Sequence, residues 1–226
     1  MARLVTKAII ILLVAVSDLQ AQTLDPIRYT LRFPAPHTHY VEVEAAIPTA
    51  GRPQVEVYMA TWTPGSYLIR EYERHVEAVT ATVGTRSLSV EKSTKNRWRI
   101  TTGGAPEVTL RYKVYSREMT VRNNWVESAF AMINGAPTFL TLVDRAKRPH
   151  EVRIEPAPAW KGIATPLLPA DGRANTFVAD DFDTRDRHDE FSALCEEFRL
   201  LLHDLVPEVP GENEQVIGMV DCNPIR

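Results

Sequence analysis

Apolar and polar residues alternate along most of this chain, and a period of two predicts β-strands with one face buried. Ile27, Tyr29, Leu31 and Phe33 alternate with Arg28, Thr30 and Arg32, until Pro34 and Pro36 end the run. Residues 40–47 repeat the pattern, with Val41, Val43, Ala45 and Ile47 on one face and Glu42 and Glu44 on the other. Residues 48–53 read as a turn, after which Val55, Val57 and Met59 face inward. Shorter pieces follow at 75–83, 87–90 and 97–101, with turns marked by Gly84 and by Gly103-Gly104. Val108, Leu110, Tyr112 and Val114 make the clearest strand, and 129–133, 138–143, 151–154 and 175–179 are further candidates. The spacing predicts an all-β fold: an antiparallel β-sandwich of about ten short strands, without parallel βαβ units. Residues 155–171, with Pro156, Pro158, Pro166 and Pro169, read as a loop-rich crossing that Trp160 pins to the sandwich.

After Asp183 the period changes. Phe191, Leu194, Cys195, Phe198, Leu201, Leu202 and Leu205 fall on one stripe at helical spacing, and Pro207 closes it. That predicts a C-terminal amphipathic helix over 187–206, with its stripe buried against the sandwich, another chain or a missing domain. The chain then divides into a signal peptide (1–21), a β domain (22–183) and a divergent helical tail (184–226). The signal is read from Arg3 and Lys7, the apolar run at 8–16 and a small-residue stretch ending at Ala21. The run is shorter than the roughly 20 residues that span a bilayer, so export to the periplasm or outside the cell is expected, with no membrane attachment after cleavage.

One stretch stands out from the alternation: Trp62-Thr63-Pro64-Gly65-Ser66-Tyr67, followed by Arg70, Glu71 and Tyr72. Pro64 fixes φ and lacks an amide proton, and Gly65 accepts positive φ, so the chain leaves the sheet in a tight corner. Large aromatics around that corner suit either a plug at the end of the sandwich or a shaped binding surface. Trp62, Tyr67, Arg70, Glu71, Tyr72, Asn123 and Asn124 are the candidate substrate-binding residues. Glu71 suits a peptide amino group, and Arg70 suits a carboxylate held bidentately. The competing reading is that Arg70 and Glu71 bond each other or cap the corner's backbone.

Composition narrows the function classes. A formal charge of −3, with Lys and Arg spread evenly, argues against nucleic acid. The two cysteines, Cys195 and Cys222, lack metal-site spacing, and export permits but does not require a bridge between them. No His-Glu-x-x-His is present: His150-Glu151 continues as Val152-Arg153-Ile154, and His188 lacks a second histidine four residues on. His37 and His39 have strand spacing, but two ligands make a poor zinc site. Ser66 is not in Gly-x-Ser-x-Gly. No catalytic residue and no metal ligand is therefore assigned.

The corner, with Ile69-Arg70-Glu71-Tyr72, is joined in order by Tyr29-Thr30-Leu31-Arg32-Phe33, Lys95-Asn96-Arg97-Trp98, Tyr112-Lys113-Val114-Tyr115 and Ala131-Met132-Ile133-Asn134-Gly135. This set resembles the N-terminal domain of the glycyl aminopeptidase family, family 61 of the zinc metallopeptidases, over about residues 25–183. The resemblance implies a β-sandwich leaning on a thermolysin-like catalytic domain that holds the zinc, in enzymes that remove N-terminal residues and favour glycine and alanine. The sequence departs from the family at about Thr184. The expectation is a non-catalytic N-terminal domain, truncated before the zinc domain, with peptide N-termini and that missing domain as partners. The alternatives are a stand-alone secreted module that binds peptides or glycans, and a hydrolase with an unrecognised site.

Overall fold

The computed structural model describes residues 24–63, 68–144 and 146–182, and the backbone course of 199–203. Among these the chain forms sixteen strands, two short 3₁₀ turns and no α-helix. In order the strands are β1 (Ile27–Arg32), β2 (Tyr40–Pro48), β3 (Gln54–Met59), β4 (Val76–Val83), β5 (Arg86–Leu88), β6 (Val90–Thr94), β7 (Arg97–Thr101) and β8 (Glu107–Tyr115). Then come β9 (Trp125–Val126), β10 (Phe130–Asn134), β11 (Leu140–Leu142), β12 (His150–Glu155), β13 (Gly162–Ala164), β14 (Leu168–Pro169), β15 (Thr176–Ala179) and β16 (Arg199–His203).

They assemble into an eight-stranded sheet, β14-β15-β12-β1-β2-β8-β4-β5, and two four-stranded sheets, β11-β3-β7-β6 and β13-β16-β10-β9. The alternation in the sequence maps onto burial. Val41, Val43, Ala45 and Ile47 of β2 and Val108, Leu110, Tyr112 and Val114 of β8 are all buried. They share one core cluster with Val55, Val57 and Met59 of β3 and with Trp98 and Ile100 of β7. Apolar faces of separate sheets thus close on a common interior, which is the arrangement a period of two demands.

The structure departs from expectation in three ways. The all-β class holds, but the described residues form sixteen strands rather than about ten, the additional ones being mostly two or three residues long. The antiparallel pattern has one exception. β1 runs parallel to β12, with Ile27 opposite His150 and Arg32 opposite Glu155, and the connection between them takes in most of the domain rather than a helix. The helix expected over 187–206 is not what the described part of that stretch forms. Arg199–His203 is an extended strand between β10 and β13. A continuous apolar run such as Leu200-Leu201-Leu202 fits a two-sided buried strand as well as a helix face, and two open sheet edges decide in favour of the strand. The rest of 187–206, the segment 1–21, and Cys195 and Cys222 lie outside the described residues.

The crossing at 155–171 is pinned as expected. Trp160 is buried, its indole N–H donates to the Ser128 carbonyl at 3.0 Å, and its ring meets Phe33 edge-on at 5.0 Å. His37 and His39 sit on a 3₁₀ turn rather than a strand. His39 closes that turn at φ 65°, with Nδ1 2.6 Å from the Val126 carbonyl oxygen.

Candidate functional site

Antiparallel pairing brings the candidate residues to one end of the molecule. β4 begins where β8 ends, with Val76 opposite Val114, so the segment before β4 and the loop after β8 are neighbours. A bulge between Glu77 and Thr80, with Ala78 at φ 52°, bends β4 and sets that approach. β3 ends at the same place, and Asn96 of the β6–β7 turn is tied to it. Asn96 Nδ2 donates to the Met59 carbonyl at 2.8 Å, and the Met59 amide donates to the Asn96 carbonyl at 3.0 Å.

The described flanks of the corner are tied together. The Arg70 amide donates to the Thr61 carbonyl at 2.7 Å, which draws the two ends together. Residues 64–67, Tyr67 included, lie outside the described residues. Trp62 is partly exposed, while Leu68 and Ile69 stand 58% and 68% exposed. Water is a poor solvent for two adjacent branched side chains, and a loop needing only turn chemistry would not carry them. The chain then enters the 3₁₀ turn Tyr72–His75, which buries Tyr72 and Glu73.

The second loop, 116–124, meets this turn through charge. Arg74 Nη2 donates to Glu118 Oε1 at 2.9 Å, and His75 Nε2 is 3.6 Å from the same oxygen. Asn123 Nδ2 donates to the other Glu118 oxygen. Tyr72, His75, Glu118, Asn123 and Asn124 line a cavity of about 10 Å³, the size of a single water rather than of a substrate. Met119 and Val121 project from this loop, 55% and 66% exposed.

The candidate residues therefore separate by role. Asn124 is buried, and both ends of its amide are used inside the protein. Its Nδ2 donates to Thr138 Oγ1 at 2.8 Å, and its Oδ1 accepts the Asn134 amide at 2.8 Å. Tyr72 and Asn123 stand at the seam between the loops. Arg70 and Glu71 do not bond each other, contrary to one reading of the sequence. Glu71 accepts from Lys95 Nζ, which holds its carboxyl below the usual range and raises the lysine. The Nε of half-buried Arg70 has no hydrogen-bond partner among the described residues. Lys95 arrives from a turn 24 positions away and takes the Glu71 carboxylate.

Glu73 was not singled out in the sequence. It is 3% exposed, and its Oε2 has no hydrogen-bond partner among the described residues. Its neighbourhood is charged: it favours the protonated forms of both His75 and Lys95. His75 is nonetheless held below its usual range, chiefly by burial, with Glu118 and Glu73 opposing and Arg74 adding to the shift. Nothing in the local pattern marks Glu73, because its burial follows from the turn's packing and not from periodicity.

A larger hollow lies on the outer face of the eight-stranded sheet. It holds about 530 Å³ beside Arg28, Glu44, Glu151, Arg153 and Arg173. Its charges are matched in pairs: Arg173 with Glu151 at 2.6 Å, Arg28 with Glu107 at 2.5 Å, and Arg111 with Glu44 at 2.7 Å. Such a face is a solvated ladder, balanced in sign.

The pattern of the Peptidase M61 N-terminal domain matches residues 28–185. The chain belongs to this family. The M61 N-terminal domain accounts for β1 to β15, and β16 lies beyond it. A solved structure, an aminopeptidase N family protein from Idiomarina loihiensis, is similar to this chain at TM-score 0.69 and 27% identity. The match covers 80% of this chain and 30% of that chain. No curated protein matches. Among the described residues no three His, Cys, Asp or Glu side chains come together as metal ligands.

Proposed function

We propose that this chain is the non-catalytic N-terminal β domain of a zinc aminopeptidase of the glycyl aminopeptidase type, exported from the cytoplasm, and that its corner loop meets peptide N-termini. The observation that carries this reading is the joining of two loops through Arg74 and Glu118 into one rim. Leu68 and Ile69 on one of these loops and Met119 and Val121 on the other are exposed, as is Trp62. Apolar side chains on a rigid base suit contact with a peptide or with the edge of a second domain. The family match supplies the class of enzyme, and the share of the solved aminopeptidase that the chain spans supports a role as one part of a larger protein. The run at 8–16 supports export.

On this reading the chain alone leaves glycyl and alanyl p-nitroanilides intact, with or without added zinc. It binds short peptides that begin with glycine or alanine, and Trp62→Ala weakens that binding at least several-fold. Calorimetric titration of Gly-Ala-Ala and Ala-Ala-Ala against both chains, with a release assay alongside, reads both effects. Chelator-sensitive hydrolysis by the pure chain would overturn the non-catalytic assignment. Equal binding by Trp62→Ala would overturn the role of the corner.

A further inference from the structure

The sheet β13-β16-β10-β9 is assembled from two sources. β9, β10 and β13 fall inside the stretch matched to the family, and β16 falls outside it. β16 lies antiparallel to both neighbours. Leu200, Leu201 and Leu202 stand opposite Ile133, Met132 and Ala131 of β10, and Leu201 and Leu202 stand opposite Ala164 and Ile163 of β13. β10 and β13 do not pair with each other, so removing β16 leaves two facing edges. Two strand spacings place those edges about 10 Å apart.

Both walls are held by contacts that do not involve β16. β10 pairs with β9 and sends Ala131 and Ile133 into the core. β13 follows Trp160 directly, which is anchored on Phe33 and on the Ser128 carbonyl, and Ile163 packs against the core cluster. The hydrogen bond from Trp160 to Ser128 also ties the β13 arm to the approach to β10. The gap is thus framed by the family domain and filled by a segment from beyond it.

We propose that the gap between β10 and β13 is a binding slot for an extended apolar peptide, with Arg199–His203 as its resident occupant. Recognition is by main chain first, since both walls offer unpaired N–H and C=O groups to any strand between them. Side-chain preference follows from register. Directly opposed residues of an antiparallel pair share a face. A ligand residue opposite Ala131 and Ile163 therefore meets a buried methyl and a core-packed isoleucine, and the residue two places away meets buried Ile133. Apolar residues at those alternate positions are accepted, and a charge there is carried to the core side. A free peptide competes with the tethered resident, whose local concentration is on the order of millimolar.

The test uses the full-length chain and a fluorescein-labelled Arg-Leu-Leu-Leu-His peptide. Leu201→Pro removes an amide from the middle of a strand bonded on both sides, which vacates the slot. Fluorescence anisotropy is expected to show at least tenfold tighter peptide binding by Leu201→Pro than by the unmodified chain. The same peptide N-methylated at its middle leucine is expected to lose that binding. A folded Leu201→Pro chain that ignores the peptide, or that binds the N-methylated form equally, overturns the proposal. Hydrogen exchange on the unmodified chain tests it without a variant. The amides of Arg199–His203 are expected to be protected together with those of β10 and β13, and solvent-like exchange across 199–203 overturns it.

Discussion

Asn124 shows how much a single position depends on its surroundings. Its amide bridges Thr138 Oγ1 and the Asn134 backbone, and Thr138 Oγ1 in turn donates to the Asn134 carbonyl at 2.6 Å. In the sequence it is one of two asparagines beside an aromatic, indistinguishable from a surface ligand contact. Asn124→Ala strands a buried amide and removes a donor, so it is expected to cost about 1–3 kcal/mol, read as a shift of the urea midpoint. Asn123→Ala, whose side chain bonds the partly exposed Glu118, is expected to leave that midpoint nearly unchanged. The pairing of Glu71 with Lys95 belongs to the same scale. Adjacent Arg and Glu invite an ion pair on paper, but a lysine from another turn takes the carboxylate.

At the scale of elements, the sheets are joined by particular polar bonds as well as by apolar contact. Tyr112 of β8 donates to the Thr138 carbonyl at 2.9 Å and accepts the Leu140 amide at 3.0 Å. Tyr29 of β1 donates to the Leu140 carbonyl at 3.0 Å. Two tyrosines of the large sheet thereby hold the start of β11, and burial raises both phenols above their usual range. Tyr112→Phe keeps the ring but leaves the Leu140 amide unpaired in the core. It is expected to destabilise the chain by about 1–3 kcal/mol and to speed hydrogen exchange at Leu140 first. Most strands were legible beforehand: β1, β2, β3, β7 and β8 match the alternating runs within a residue or two at each end. β9, β13 and β14 were not, being two or three residues long and set by their neighbours. The helix expected over 187–206 failed where it can be compared, because pairing with β10 and β13 outweighs a helical stripe in an all-apolar run.

The whole molecule responds to acid through its buried histidine. His150 lies between Tyr29, stacked at 6.0 Å, and Phe182 at 5.6 Å, with Nε2 3.3 Å from Thr141 Oγ1. Burial, with the nearby Arg148 charge in the same sense, pushes its pKa down to about 4. Unfolding releases the group to its ordinary value near 6.5, so the unfolded chain binds the proton more tightly. Stability is therefore full above about pH 6.5 and falls as the pH drops towards 4, by up to about 1.4 kcal/mol per unit and about 3 kcal/mol in all. His75, also lowered by burial, acts in the same direction. Glu56, Glu71 and Glu151 are lowered by their hydrogen-bonded partners, and their contributions are lost only below about pH 4.5. Urea unfolding between pH 7 and 5 isolates the histidines, and His150→Gln is expected to flatten the slope in that window. An unchanged slope would place the acid sensitivity elsewhere.

By itself the amino-acid order determined which residues turn inward, where strands stop and which family the first four-fifths of the chain resembles. Those properties are local: alternation, proline and glycine act within a few residues, and a signature motif is read in place. Only the tertiary structure decided that β1 runs alongside β12, that the loops before β4 and after β8 share one rim, that Glu73 rather than Glu71 is buried, and that Arg199–His203 is a strand. Each of these rests on partners tens of residues away, and a pattern read along the chain contains no distance across it.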